Sequence, residues 1–407
     1  MIDQERLWAS LMEMAVIGRT ARGGVCRRAL SDEDKVSRDL FVSWSEAAGC
    51  QVRIDRVGNI FARRPGRDGN ASPVVTGSHL DTQPLGGRFD GAYGVLAGLE
   101  VVRALNDADI ETRAPIDIVN WTDEEGCRFT TRTMGSMAFA GMIDEAAILD
   151  AIDEDGVSFA DELSRIGYAG SGSVLGHPVK ALIEIHIEQG PLLEQAGISI
   201  GAVLGAQARR IFQVTVTGEE GHAGTLPMDQ RKDAFLGAAR MTDAVNAVAF
   251  CHQPVPVITV GHVRVRPNSR NTIPGETIFT IDSRHPDDDL LDRVSGEIQV
   301  ACRAIADDMG LNVDVDQVSN AKAVGFDAHC VEAVRRAAAG RGIACMDVFS
   351  GAGHDACNVA RIALAGMIFV PCKDGISHNE LESATPEDVT DGARVLHDVV
   401  LEFAEAV

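Results

Sequence analysis

The period of apolar and polar positions changes several times along the chain, and each change marks an element. Leu7, Leu11, Met14 and Ala15 recur at helical spacing, so residues 1–50 read as helical. Val74–Thr76 is a short apolar run that stops at Gly77, and Ala92–Leu105 keeps a helical period. Pro115–Trp121 and Ala181–Ile187 read as strands. Strand and helix signals in alternation predict an α/β domain with a mostly parallel sheet flanked by helices.

The pattern shifts near residue 209. Arg210–Thr217 alternates as a strand, Met228–Phe250 is helical, and Val257–Val265 and Thr277–Asp282 are strands around a turn-rich PNSRNTIPGE. Asp288–Met309 is helical and Leu311–Val318 alternates again. A β-α-β-β-α-β order predicts a compact α+β sandwich with one open sheet face. After about residue 325 the first pattern resumes, through Ala365–Pro371 to a last helix at Pro386–Ala404. The expected organisation is a discontinuous first domain, 1–208 and 326–407, with a second domain at 209–325 inserted into it.

Charge narrows the partners. Lys and Arg number 37 against 60 Asp and Glu, a net charge of −23, which repels phosphate backbones and anionic membrane surfaces. No nucleic-acid or membrane partner is expected, and no run reaches the roughly 18 apolar residues of a span. An anionic substrate would need local positive charge from cations or arginine. Nine cysteines without a CxxC pair, behind a start lacking a basic, apolar leader, read as reduced cytoplasmic thiols. Cys127, Cys357 and Cys372 lie near the motifs below and read as bystanders.

Five segments carry metal-site chemistry, most of them where a strand signal ends. In Gly77–Thr82, His79 and Asp81 share a strand face, and Asp81 is spaced to orient a ligand histidine. HxD alone reads equally as a buried, satisfied histidine. Asp90 in GGRFDG stands at a helix entrance, where it would bridge two cations or merely cap the helix. Glu124 and Glu125 follow the Pro115–Trp121 strand. Adjacent residues point apart, so one suits a ligand and the other a proton acceptor, unless the turn is simply solvated. His186 lies in an apolar strand that stops at Gly-Pro, and His378 follows the Ala365–Pro371 strand. Their bland readings are a core histidine and a loop histidine. Imidazole with carboxylate suits zinc, manganese or cobalt better than magnesium or calcium.

Taken in order, GSHLDTQPLGGRFDGAYGVLAGLE, WTDEEGCRF, HIEQGPLLE, GHAGTLPMDQRKDA, PNSRNTIPGE, DSRHP, SGAGHDA and DGISHNELE resemble the amidase, hydantoinase and carbamoylase branch of the M20 metallopeptidase superfamily. The resemblance covers nearly the whole chain and is nearest to N-carbamoyl-L-amino acid amidohydrolases and bacterial β-ureidopropionases. It implies a catalytic domain with an inserted dimerisation domain, a homodimer and two divalent metal ions per subunit. By the same resemblance His79, Glu125, His186 and His378 are terminal ligands, Asp90 bridges, and Glu124 is the general base. Asp81 is placed with the catalytic residues, and His222 is the histidine that reaches the partner subunit's site. Asn271 and Arg284 hold the substrate carboxylate, and Gln189, Gly351 and Ala352 contact substrate. Three positions depart from the common pattern: Asp123 for Asn, Leu226 for Thr, and Ala208–Ile211 for a more aromatic stretch. They bear on the substrate side chain and remove no ligand. The implied reaction is hydrolysis of a small ureido acid at its carbamoyl C–N bond. Allantoate or ureidoglycine hydrolysis, a dipeptidase or aminoacylase, and a non-catalytic metal-binding module are the alternatives.

Overall fold

A computed structural model describes residues 1–129 and 131–406. The chain divides into two compact units, Met1–Ala206 with Gly325–Val407, and Gln207–Val324.

Among the described residues, the first unit is organised on a nine-stranded, mostly parallel sheet. Its centre orders Ile116–Trp121, Val74–His79, Ala181–Ile187 and Leu364–Val370 side by side, all parallel. These strands are buried almost throughout, which explains why they read as continuous apolar runs. A hairpin of Gln51–Ile54 and Ile60–Arg64 extends one edge in antiparallel fashion. On the other side Ile200–Ala206 pairs antiparallel to Leu364–Val370 and parallel to Cys345–Ser350. The helix Ala92–Asp107 is buried on nearly every side. The helix Pro386–Glu405 starts from a Thr385 cap that accepts from Asp388 N, with proline in its first turn.

The apolar run stops at Gly77, but the strand passes through it to His79. A φ of +137° keeps the chain extended there, where a Cβ would stand 2.1 Å from Val119 O. Residues 1–50 are not continuously helical: Gln4–Met14 and Asp32–Ala47 are helices, and the chain between them pairs Val25 with Gly86. Gly18 (φ +73°) and Gly23 (φ +92°) break the first helical run, and Ser31 caps the second by accepting from Asp34 N.

The second unit has a four-stranded antiparallel sheet in the order Asn312–Ala321, Ala208–Thr217, Glu276–His285, Val257–Arg266. Helices Ala234–Phe250 and Asp288–Met309 cover one face, over a core that includes Phe212, Val214, Met241, Phe279, Ile281 and Val294. Arg210 ties the layers together: it donates to Asp288 Oδ1 and Asp292 Oδ1 at 2.7 Å each and to Ala321 O at 2.8 Å. A two-stranded ribbon pairs Gly221–His222 with Thr272–Ile273.

Candidate metal centre

The central strands are parallel, so their carboxyl ends open onto one crevice, the usual ligand-binding edge of an open α/β sheet. His79 ends one strand, Asp123–Glu125 follow a second, His186 and Gln189 close a third, and Ser377 and His378 follow the fourth. Asp90 sits just ahead of the Ala92–Asp107 helix. The helix cap is Gly91, so the Asp90 carboxylate is free for other work.

Two ligand groups meet on Asp90. His79, Asp90 and His186 form one and Asp90, Glu125 and His378 the other, with the donor atoms of each group within 4.8 Å of one another. Asp90 Oδ1 lies 3.7 Å from His79 Nε2 and 3.1 Å from His186 Nε2. Asp90 Oδ2 lies 3.3 Å from His378 Nε2, which is 3.6 Å from Glu125 Oε2. One carboxylate therefore presents a different oxygen to each group. Glycine makes the approach possible, since a Cβ at Gly91 would stand 2.4 Å from the His79 ring.

Glu124 and Glu125 point to different neighbours. Glu124 Oε2 is 3.7 Å from His79 Nε2, while its Oε1 is buried without a hydrogen-bond partner among the described residues. Glu125 Oε2 accepts from Gln83 Nε2 at 2.7 Å. Burial, then the charges of Asp90 and Glu124, push the Glu125 carboxyl up to about 8. Burial also works against the Asp90 anion, but hydrogen bonds from His186 and His378 outweigh it and hold Asp90 well below the usual carboxylate range. Three buried carboxylates at such distances repel one another unless cations lie between them. The donor set, imidazole nitrogens with a shared carboxylate, fits divalent transition-metal ions.

Supporting groups fix the donors. His79 Nδ1 bonds the main-chain O of Asp81 at 2.9 Å, and the Asp81 carboxylate stands farther off at 3.7 Å. That carboxylate instead accepts the N–H groups of Glu124 and Glu125 at 3.3 and 3.2 Å, so it shapes the glutamate turn. His186 Nδ1 bonds Ile187 O at 2.9 Å. Gln189, at φ +57°, donates to Asp90 Oδ2 at 2.9 Å. Gly351 and Ala352 follow Ser350, whose Oγ is 2.9 Å from His354 Nε2. The His354 ring packs 4.7 Å from that of His186. Burial, then the neighbouring His186, hold His354 well below the ordinary histidine range.

The remaining predicted residues belong to the second unit. His222 and Asn271 are neighbours in the ribbon, where Ala223 N donates to Asn271 O at 2.9 Å. Arg284 lies on the Glu276–His285 strand and grips Asp282 with Nε and Nη2, both at 2.9 Å.

Residues 75–402 match the model of peptidase family M20/M25/M40. The chain belongs to this family. An N-carbamoyl-L-amino-acid amidohydrolase of Rhizobium meliloti is 45% identical over 406 residues, spanning 100% of this chain and 98% of the relative. An allantoate amidohydrolase of Bacillus subtilis is 32% identical over 397 residues, 96% of this chain and 95% of the relative. A crystal structure of an amidase of the hydantoinase/carbamoylase family from Burkholderia multivorans superposes with a TM-score of 0.96 at 52% identity, covering 100% and 98% of the two chains. The fold of an M20 hydrolase thus extends over the full chain.

Within this M20 chain, sequence reasoning missed Glu382. Its Oε1 accepts from Phe89 N and Asp90 N at 2.9 and 3.1 Å, and its Oε2 accepts from Ser377 Oγ at 2.9 Å. It joins the Asp90 loop to the His378 loop. The signal available was an acid four positions after a candidate ligand, opposite the paired glycines of GGRFDG. A Cβ at Gly87 would stand 1.9 Å from the Glu382 carboxyl carbon. Glu184 was also missed: it accepts from Ser78 Oγ at 2.6 Å and Ala356 N at 2.9 Å.

Proposed function

We propose that the chain is a binuclear-metal amidohydrolase that cleaves the carbamoyl C–N bond of N-carbamoyl-L-amino acids, as α- or β-ureido acids. The products are the free amino acid, ammonia and carbon dioxide. The observation that carries the reading is the pair of ligand groups sharing Asp90, with Glu124 beside them holding an unbonded oxygen. The full-length similarity to an N-carbamoyl-L-amino-acid amidohydrolase supports the substrate class.

In this reading His79 and His186 would hold one cation and Glu125 and His378 the other, with Asp90 shared between the two groups. The chemistry these ions supply when bound is acidification of a water and polarisation of the carbamoyl oxygen. Glu124 accepts the proton of the attacking water and returns it to the leaving nitrogen. Asp81 holds the glutamate turn, so that Glu124 and Glu125 keep separate tasks. Gln189 and the Gly351–Ala352 backbone orient the substrate, and His222 stabilises the oxyanion from the partner subunit of a homodimer. Asn271 and Arg284 receive the substrate carboxylate, for which Arg284 must exchange the Asp282 carboxylate that its planar fork grips. The Gln207–Val324 unit then serves as the dimerisation domain, and the enzyme works in the cytoplasm. Among the described residues no helix is long and apolar enough to cross a membrane.

The test is to strip the protein of metal, restore zinc, manganese or cobalt separately, and follow ammonia release from a matched panel. The panel holds N-carbamoyl-L- and D-amino acids, β-ureidopropionate and allantoate, with a dipeptide followed by amine release. Metal-dependent turnover of an N-carbamoyl-L-amino acid or β-ureidopropionate is expected. A second reading, allantoate hydrolysis, is supported by the 32% identical relative, and preference for allantoate in this panel would replace the first. Cleavage of the dipeptide alone would move the chain to the peptidase side.

A further inference from the structure

Arg132 is a cation beside the ligand cluster that no step above uses. The turn bearing the two glutamates folds back on the segment that follows it. Thr133, Met134 and Gly135 donate their N–H groups to the carbonyl oxygens of Glu124, Asp123 and Thr122 at 2.8, 3.2 and 2.9 Å. Gly126, at φ +60°, lies directly under Arg132, and a Cβ there would stand 2.7 Å from Arg132 Cγ. The backbone of Arg132 is held at the glutamate turn, and its charge acts on both His354 and His378.

The guanidinium is placed but not spent. Its Nη2 is 3.7 Å from Glu124 Oε1, an attraction too long for a hydrogen bond. Nε is buried without a partner among the described residues, while the side chain as a whole is 41% exposed. Arg128, four residues earlier in sequence, is the contrast: its Nε, Nη1 and Nη2 are all used, on Asp153, Ala29 O and Glu162. A planar fork of donors held beside the proposed base, half open to solvent and unsaturated, matches a carboxylate. The reading above assigns the α-carboxylate to Asn271 and Arg284, which leaves Arg132 for a second carboxylate.

We infer that Arg132 is a specificity-determining residue that receives a side-chain carboxylate, making N-carbamoyl dicarboxylic L-amino acids the preferred substrates. The inference rests on the carbamoylase reading above and narrows it.

The test uses isosteric pairs, N-carbamoyl-L-aspartate against -asparagine and N-carbamoyl-L-glutamate against -glutamine, with an aliphatic N-carbamoyl-L-amino acid as reference. The metal-loaded protein should favour the acid member of a pair by roughly 10- to 100-fold in kcat/KM, as expected of a charge-assisted contact. Arg132→Met should remove that preference, chiefly through KM of the acid substrate, and Arg132→Lys should keep part of it. A binding readout without turnover is calorimetry on the Glu124→Gln protein, with and without Arg132→Met. There N-carbamoyl-L-glutamate should lose affinity and the glutamine analogue should not. Equal kcat/KM for acid and amide in the wild type would overturn the inference and leave the carbamoylase reading intact. So would an equal loss on both members in Arg132→Met, which would assign Arg132 to holding Glu124. If the wild type hydrolyses no N-carbamoyl amino acid at all, both readings fall.

Discussion

Glu124 stands between two environments: Oε2 looks toward His79, and Oε1 finds no hydrogen bond among the described residues. Glu124→Gln keeps the volume and the His79 contact but cannot accept a proton. The expected outcome is unchanged metal content by elemental analysis and a kcat lower by about 10³-fold; substantial residual turnover would remove Glu124 as the base. His79, Asp90, Glu125, His186 and His378, which the structure gathers around Asp90, could be singled out as candidates because most lie at or after the end of an apolar run. Glu382 could not be, because an acid in a loop looks the same whether it is solvated or accepting the N–H of Asp90. The need for glycine at position 77 was hidden for a related reason: only the proximity of Val119 O explains why it is required within the strand.

At the scale of elements, parallel order does the positioning. Four adjacent strands deliver their following turns to one edge, and a slip of one residue would turn His79 and His186, the two candidate ligands within strands, to the opposite face. Strand and helix types were readable because burial on both faces leaves apolar runs, whereas half-burial in the second unit leaves alternation. The Gln51–Ile54 edge strand was not, since it is only four residues long and none of them is fully buried. Arg210 exemplifies a cross-layer tie that no periodicity reveals. Its truncation to alanine strands Ala321 O and releases Asp288 and Asp292, at a cost of about 2 kcal/mol. Arg210 also holds both aspartates below the usual carboxylate range, against the burial that raises Asp288. Carboxylates depressed in the folded state stabilise it above their unfolded pKa near 4, and that contribution fades as pH falls through the folded value. The unfolding temperature of the second unit should therefore drop below about pH 4, and Arg210→Ala should flatten that drop. Calorimetric scans of both proteins from pH 7 to 3 check it, and parallel curves would refute it.

At the scale of the molecule, the burial of Asp90, Glu124 and Glu125 in one cluster predicts that cation binding there would be coupled to folding of the first unit. Chelation should lower the unfolding temperature of that unit by roughly 5–10 °C, and readdition should restore it. The second unit holds none of the proposed ligands, so its transition should stay in place, and scanning calorimetry distinguishes the two. The division of the chain has a further consequence for its birth on the ribosome. Leu364–Val370 lies between Ala181–Ile187 and Ile200–Ala206, so the central sheet stays open until the whole of Gln207–Val324 has been translated. The inserted unit, continuous in sequence, is the part able to complete its fold first. Four of the five candidate ligands, His79, Asp90, Glu125 and His186, are therefore made before the inserted unit and wait on an unfinished sheet until His378 emerges.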